Sequence, residues 1–281
     1  MKTLGHLIAD ITERFTRAGI DTARLDARVL TGHALGMDAS RLFARSDELV
    51  DEAAAARLEG LVRQRLDHTP VSRIVGHREF WGMDFKLGPD TLDPRPDTEA
   101  VVAAALMLKP ALKAPRVLDL GTGTGCILLA ILKDWPEATG LGIDVSAGAL
   151  ATAAENAGSL GLASRAAFRQ SNWCDAVSET FDIVVSNPPY ITEAEMAGLA
   201  PEVALFDPER ALVGGADGLG AYRLLIPQAW VRLHPGGRLF LEIGQGQGPA
   251  VARLLEGAGF HLVGEHKDLA GILRCLEAER V

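Results

Sequence analysis

The sequence predicts an α/β protein built on an open, mostly parallel sheet and preceded by a small all-helical domain. Three observations carry this reading. Apolar residues in roughly the first 66 positions recur at helical spacing throughout. From Arg116 onward, short β-branched runs alternate with helical stretches, as in successive β-α-β units. Two of those runs also end in specialised turns, Gly121-Thr-Gly-Thr-Gly125 and Asn187-Pro-Pro-Tyr190.

In chain order, Leu4, Leu7, Ile8, Ile11 and Phe15 share one helical face, with Thr3 able to cap the start and Gly19 to end the last turn. A second helix follows Asp21 and closes at Gly36. A short one spans 40–45, and a longer one over 51–66 carries Leu58, Leu61, Val62 and Leu66. Together they predict a small bundle that Pro70 ends. Arg63, Arg65, Arg73 and Arg78 are expected on its surface, either simply solvated or facing an acidic or ribonucleoprotein-associated partner. Apolar segments on either side of Gly82 predict a β-hairpin linker. Asp93-Pro-Arg-Pro-Asp-Thr-Glu99 is then stiffened by two prolines, with Asp97 expected to cap a helix over 100–108. A mere spacer has no need of Arg95 or Glu99, so both are candidates for a position over a ligand site.

Residues 116–130 read as strand, glycine turn and helix. Gly121, Gly123 and Gly125 let the backbone turn sharply and approach a ligand closely. The spacing is Gly-x-Gly-x-Gly after the acidic Asp119, not the Gly-x-Gly-x-x-Gly of dinucleotide folds. An anionic Asp119 repels a pyrophosphate and attracts an ammonium or sulfonium. That selects S-adenosylmethionine over NAD, with Asp119, Gly121, Thr122, Gly123, Thr124 and Gly125 around its methionine end. A strand over 140–144 ends in Asp144 about twenty residues beyond the loop, the separation at which an acid binds ribose hydroxyls, while Ser146 is available to cap the next helix. A strand over 166–171 runs into Asn172 and Trp173, the expected adenine contacts.

Residues 181–185 predict a strand buried on both faces, followed by the Asn187 turn. Pro188 and Pro189 donate no hydrogen bonds, and Pro188 holds Asn187 extended. The Asn187 side-chain oxygen and the Pro188 carbonyl are then convergent acceptors, suited to one –NH2 group. An amide or aromatic amine is a poor nucleophile and too weak an acid to deprotonate near pH 7. Acceptors on its two hydrogens would aim the nitrogen and stabilise the positive charge that grows on it during attack, with Tyr190 as a flat wall. Read alone, the turn could equally be a proline-rich strand end. Residues 191–220 predict an irregular lid or docking surface. A helix over 221–233, a Pro235-Gly-Gly turn, a strand over 238–243 and a helix over 249–256 restore the alternation, and strands over 260–265 and 272–276 close the chain as an antiparallel pair.

The 281 residues carry 28 basic and 37 acidic side chains, for a net charge of −9. The isoelectric point near 5.3 suits a soluble cytoplasmic enzyme better than a protein that grips a polyanion. Cys126, Cys174 and Cys275 show no metal-binding spacing and read as reduced thiols, so no metal is expected. The longest apolar run is too short to span a bilayer.

The order Asp119-Leu-Gly-Thr-Gly-Thr-Gly125, Asp144, Asn172-Trp173 and Asn187-Pro-Pro-Tyr190 resembles class I S-adenosylmethionine-dependent methyltransferases acting on planar nitrogens. With Pro94-Arg-Pro-Asp-Thr-Glu99 and the helical start, the chain is similar along its length to the peptide chain release factor N5-glutamine methyltransferase family. The resemblance implies a Rossmann-like seven-stranded methyltransferase sheet. It implies a bundle at 1–70 for release factor recognition, a hairpin linker at 71–97 and a methyltransferase domain at 98–281. The implied reaction methylates the glutamine of the Gly-Gly-Gln motif of class I release factors and leaves S-adenosylhomocysteine. Asn187 and Pro188 then hold the amide, Pro189, Tyr190, Arg95 and Glu99 shape its approach, and the protein acts as a cytoplasmic monomer without membrane or direct nucleic-acid binding. Asn172 departs from the Asp often found there. The Asn-Pro-Pro-Tyr turn also occurs in DNA N6-adenine methyltransferases, and the ribosomal-protein glutamine methyltransferases are related but differ at the Pro-Arg-Pro segment. A non-enzymatic cofactor-binding regulator is a further alternative.

Overall fold

The computed structural model describes residues 2–281, which divide between Gly76 and His77 into two compact units. The first contains α1 (Leu4–Arg17), α2 (Ala23–Leu35), α3 (Ala39–Ala44), α4 (Glu52–Leu66) and α5 (Val71–Val75). Local chemistry sets these boundaries: the side chains of Thr3, Asp38 and Asp51 accept from first-turn N–H groups of α1, α3 and α4. Gly36 stops α2 in the left-handed conformation. Phe15, Leu30, Leu58 and Val62 fill the core.

Two expectations for this unit are corrected. Pro70 does not end the helices but stands at the start of α5, where a fixed φ and a missing N–H cost nothing. Arg65 is not a surface residue: it is 6% exposed, and its Nε donates to Asp26 Oδ2 at 2.7 Å across α2 and α4. Arg63 is exposed as expected and pairs with Glu59.

The second unit opens with the expected hairpin, β1 (His77–Phe80) and β2 (Met83–Lys86). Trp81 and Gly82 both take positive φ, +53° and +66°, as a two-residue hairpin turn with right-twisted strands requires. The main sheet contains β3 (Arg116–Leu120), β4 (Thr139–Asp144), β5 (Ala166–Gln170), β6 (Phe181–Ser186), β7 (Leu233–Glu242), β8 (Phe260–Lys267) and β9 (Leu273–Arg280). Its order is β5-β4-β3-β6-β7-β9-β8, parallel from β5 to β7, with β9 antiparallel to both neighbours. Successive residues of β3 enter opposite cores. Val117 packs with the apolar faces of α6 (Glu99–Leu106) and α7 (Cys126–Asp134), and Leu118 with those of α11 (Gly220–Arg232) and α12 (Gly248–Gly257). Burial on both faces explains the unbroken apolar runs. α8 (Ala147–Ser159) follows β4.

The strand order reverses at β3: the chain runs outward through β4 and β5, then returns to place β6 on the other side. Crevices at such points collect ligands at the carboxyl ends of the strands. Register puts Leu120 beside Ser186, and the Ser186 hydroxyl donates to Leu120 O at 2.7 Å. The turns that begin at Gly121 and Asn187 therefore leave the sheet side by side.

Other details differ from expectation. Asp97 does not cap α6; a 3₁₀ turn (Pro96–Thr98) leads into the helix, and Asp97 pairs with Arg274 of β9 at 2.7 Å. β7 begins at Leu233, and its register with β6 shifts between Phe181 and Ile183 to absorb the Pro235-Gly-Gly segment. Residues 191–220 are more ordered than their composition suggests, with α9 (Glu193–Met196), α10 (Pro201–Ala204) and a bridge between Ile191 and Val213. Thr192 and Glu195 form a capping box on α9, a signature present in the sequence but hidden by the surrounding acids. The three cysteines are buried and free. Among the described residues no helix is long and apolar enough to cross a membrane.

Candidate active site

A cavity of about 260 Å³ opens at the switch point of the sheet. Its walls include Gly121, Thr122, Gly123 and Thr124 after β3, Asp144 at the end of β4, Asn172 and Trp173 after β5, and Asn187, Pro188 and Pro189 after β6. Thr98 and Arg95 close it from the proline-stiffened segment. Most residues singled out in the sequence thus converge on one crevice, from four strand ends that are far apart in the chain.

The glycine loop is pinned to β4. The N–H groups of Gly121 and Thr122 donate to Ile143 O at 2.9 and 2.8 Å, and Gly123 N donates to Asp144 Oδ2 at 3.0 Å. Asp144 Oδ1 accepts from Ser146 N at 2.9 Å, so both carboxylate oxygens are held by backbone and each keeps a spare lone pair on a residue that lines the cavity. Ser146 caps α8, as its position suggested. Gly121 has φ +74°, and a Cβ there would stand 4.0 Å from the Trp173 ring, inside the space the loop leaves open. Trp173 itself has φ +48°, an uncommon conformation for a bulky residue that sets its indole at the cavity edge.

Four candidates lie off the cavity. Asp119 is fully buried beneath the glycine loop, where its Oδ2 accepts from the Thr122 hydroxyl at 2.7 Å. Burial pushes its carboxyl up to about 7, against the pull of that hydroxyl. Its Oδ1 has no hydrogen-bond partner among the described residues, so it braces the loop and retains one unused acceptor. Gly125 starts α7 at φ +82° and packs against Leu129 and Ala153. Glu99 accepts from Trp81 N at 2.9 Å, a tie to the hairpin. Tyr190 borders an adjacent cleft with Thr192, Gly244 and Gln247, and its hydroxyl donates to Glu242 Oε1 at 3.2 Å.

Several residues at the site carried no usable signal in the sequence. Arg95 Nη2 donates to Asp207 Oδ2 at 2.6 Å, and Arg210 pairs with Asp90, just before the proline-stiffened segment, so two ion pairs join residues 90–95 to residues 207–210 beside the cavity. Thr98 accepts from Asn187 Nδ2 at 3.1 Å. Glu242, at the end of β7, is 1% exposed, and burial pushes its carboxyl up to about 7 while the Thr98 and Tyr190 hydroxyls and Arg274 pull it down. These contacts cross between distant segments, and only tertiary structure brings them together.

The donor set suits S-adenosylmethionine. Asp144 offers oxygens for a ribose diol and Trp173 a flat face for adenine, both on the wall of the cavity. Asp144→Ala is expected to weaken binding of S-adenosylhomocysteine roughly 10- to 100-fold, the scale of hydrogen bonds to a charged group, as read by calorimetry.

Known proteins resemble the chain along its length. Residues 6–76 match the family model of the PrmC N-terminal domain, and residues 98–213 match that of the methyltransferase small domain. The release factor glutamine methyltransferase of Rhodospirillum rubrum is 50% identical over 277 residues, 99% of this chain and 85% of that protein. The protein of the same name from Cereibacter sphaeroides is 50% identical over 265 residues, 94% of each chain. Among solved structures, a methyltransferase from Pyrococcus furiosus shares the fold at TM-score 0.52 and 16% identity, covering 78% of this chain and 97% of that one. Half-identity sustained over nearly the whole of both partners, on a methyltransferase fold, shows that the chain belongs to the release factor glutamine methyltransferase family.

Proposed function

We propose that this enzyme transfers the methyl group of S-adenosylmethionine to the side-chain amide nitrogen of the glutamine in the Gly-Gly-Gln motif of class I release factors, acting in the cytoplasm as a monomer. The observation that carries the reading is the state of Asn187. Its Nδ2 is engaged by Thr98 at 3.1 Å, which leaves Oδ1 as the acceptor on a side chain that lines the same cavity as the glycine loop.

When bound, S-adenosylmethionine supplies an electrophilic methyl carbon and departs as S-adenosylhomocysteine. The residues of the chain have the task of presenting the nitrogen. Asn187 Oδ1 and the Pro188 carbonyl accept from the two amide hydrogens, which fixes the nitrogen's direction and favours the positive charge that grows on it as the N–C bond forms. No base is needed beforehand; one N–H proton passes to water after transfer. Gly121, Thr122, Gly123 and Thr124 hold the methionine end with Asp119 beneath them, Asp144 takes the ribose hydroxyls, and Trp173 and Asn172 border the adenine. Pro189, Tyr190, Arg95 and Glu99 shape the approach directly or through their neighbours. The bundle recognises the release factor.

DNA N6-adenine methylation would use the same turn on a flipped base. The net charge of −9 and the lack of a basic target-recognition insertion speak against it, and the curated relatives favour the protein substrate. Co-expression with a class I release factor followed by mass spectrometry should show one added methyl on the Gly-Gly-Gln peptide. An unmodified peptide, with label from tritiated cofactor entering duplex DNA instead, would overturn the reading.

A further inference from the structure

We infer that Arg274 of β9, which does not line the cavity, is a positioning residue for the transfer: through Asp97 it sets the place of the Thr98 hydroxyl, and through that hydroxyl the attitude of the Asn187 carboxamide. This rests on the role just given to Asn187.

Asn187 Nδ2 donates to Thr98 Oγ1 at 3.1 Å, and that bond turns Oδ1 to its task. A hydrogen bond weakens steeply as its geometry departs from the ideal, so the carboxamide is only as well placed as Thr98. Thr98 belongs to the 3₁₀ turn Pro96–Thr98, whose closing bond runs from Thr98 N to Arg95 O at 3.1 Å. Such turns have poorer hydrogen-bond geometry than α-helices and gain from outside ties. The side chains around it supply them. Arg95 reaches Asp207, and Glu99 reaches the N–H of Trp81 in the hairpin turn; both anchors lie outside the main sheet. Asp97 reaches the sheet itself, where its Oδ2 pairs with Arg274 Nη2 at 2.7 Å. β9 pairs with β7, β7 pairs with β6, and Asn187 directly follows β6. The ion pair therefore refers the Thr98 hydroxyl to the same rigid sheet that carries the carboxamide it must meet.

The surroundings of Arg274 suit it to this task. Its Nε donates to Asp268 Oδ2 at 3.1 Å, while Asp268 Oδ1 accepts from the N–H groups of Ala270 and Ile272, both at 2.9 Å. The turn between β8 and β9 thus fixes this carboxylate, and the carboxylate fixes the arginine. With Nε engaged, the planar guanidinium is aimed and Nη2 is left for Asp97. The Arg274 side chain is 15% exposed, but that of Asp97 is 43% exposed. An ion pair this open to water on one side contributes little to folding, so stability does not account for a guanidinium held from two directions. Placement does.

The test uses the full-length enzyme with saturating cofactor and a class I release factor, with Asn187→Ala as reference. Arg274→Gln is expected to lower kcat on the order of 10-fold, a fraction of the roughly 100-fold that a 1 Å misplacement can cost. Asp97→Asn opens the same pair from its exposed side and should cost a similar factor; it carries the test alone if Arg274→Gln does not fold. KM for the release factor, and S-adenosylhomocysteine affinity by calorimetry, should stay near parental values in both. Thr98→Val, also expected to lose on the order of 10-fold, completes a double-mutant cycle. If Arg274 acts through Thr98, adding Arg274→Gln or Asp97→Asn to Thr98→Val costs nothing further, whereas independent effects multiply to about 100-fold. Parental kcat in Arg274→Gln, Asp97→Asn or Thr98→Val, or multiplied losses in the double variants, overturns the inference. If Asn187→Ala is itself fully active, the assignment of Asn187 fails first, and the two failures are thereby told apart.

Discussion

Asn187→Ala is expected to lower kcat by about 10²–10³-fold, the cost of deleting one preorganised polar partner from a transition state. Binding of S-adenosylhomocysteine should change little, because the glycine loop, Asp144 and Trp173 are untouched. The substitution creates no buried unpaired charge, and Ser186 still ties β6 to Leu120 beneath the turn. Single-turnover kinetics with saturating cofactor isolate the chemical step. A parental rate there would remove Asn187 from the mechanism. Asn187→Asp is a sharper companion: it keeps the acceptor and the shape but has no –NH2 to give Thr98, so it should also be impaired.

Arg65→Met should destabilise the helical unit by about 3–5 kcal/mol, the range measured when one member of a buried ion pair is removed. The side chains of Arg65 and Asp26 are each only 8% exposed and meet at 2.7 Å, so the substitution strips the carboxylate of its guanidinium partner where water barely reaches. The effect should appear in full-length protein as a lower urea midpoint for helix loss. Replacing both residues, Asp26→Leu with Arg65→Met, should recover much of the loss, since no stranded charge remains. If the single variant melts with the parent, the pair contributes nothing to stability. By contrast, Glu59 with Arg63, far more exposed, should matter little when broken.

Much of this architecture was legible in the chain because it is written in local chemistry. Thr3, Ser146 and Asp51 mark helix starts, Gly36 a helix end, and the unbroken apolar run of 181–185 a strand covered on both faces. The crevice was legible for the same reason, since a glycine turn and a proline-locked asparagine constrain their own backbones. What sequence reasoning missed was relational. Asp119 follows the logic of an anion that attracts a sulfonium, yet its depth beneath the loop makes it a brace first. Arg65 has the composition of a surface residue and the neighbours of a core one. Asp97 stands where a cap belongs, but an arginine 177 positions later, Arg274, competes for it more strongly than a helix end does. Thr98 meets Asn187 across 89 positions, and nothing in either segment announces the other.

The pairing of Leu120 with Ser186 gives the enzyme a built-in ruler. Gly121 and Asn187 each follow directly from that pair, so the starts of the two turns are spaced by one interval between hydrogen-bonded strands, roughly 5 Å. Such an interval is the least adjustable length in a protein, common to every sheet and indifferent to the loops above it. Covering segments can therefore vary while the spacing of the two turns stays constant.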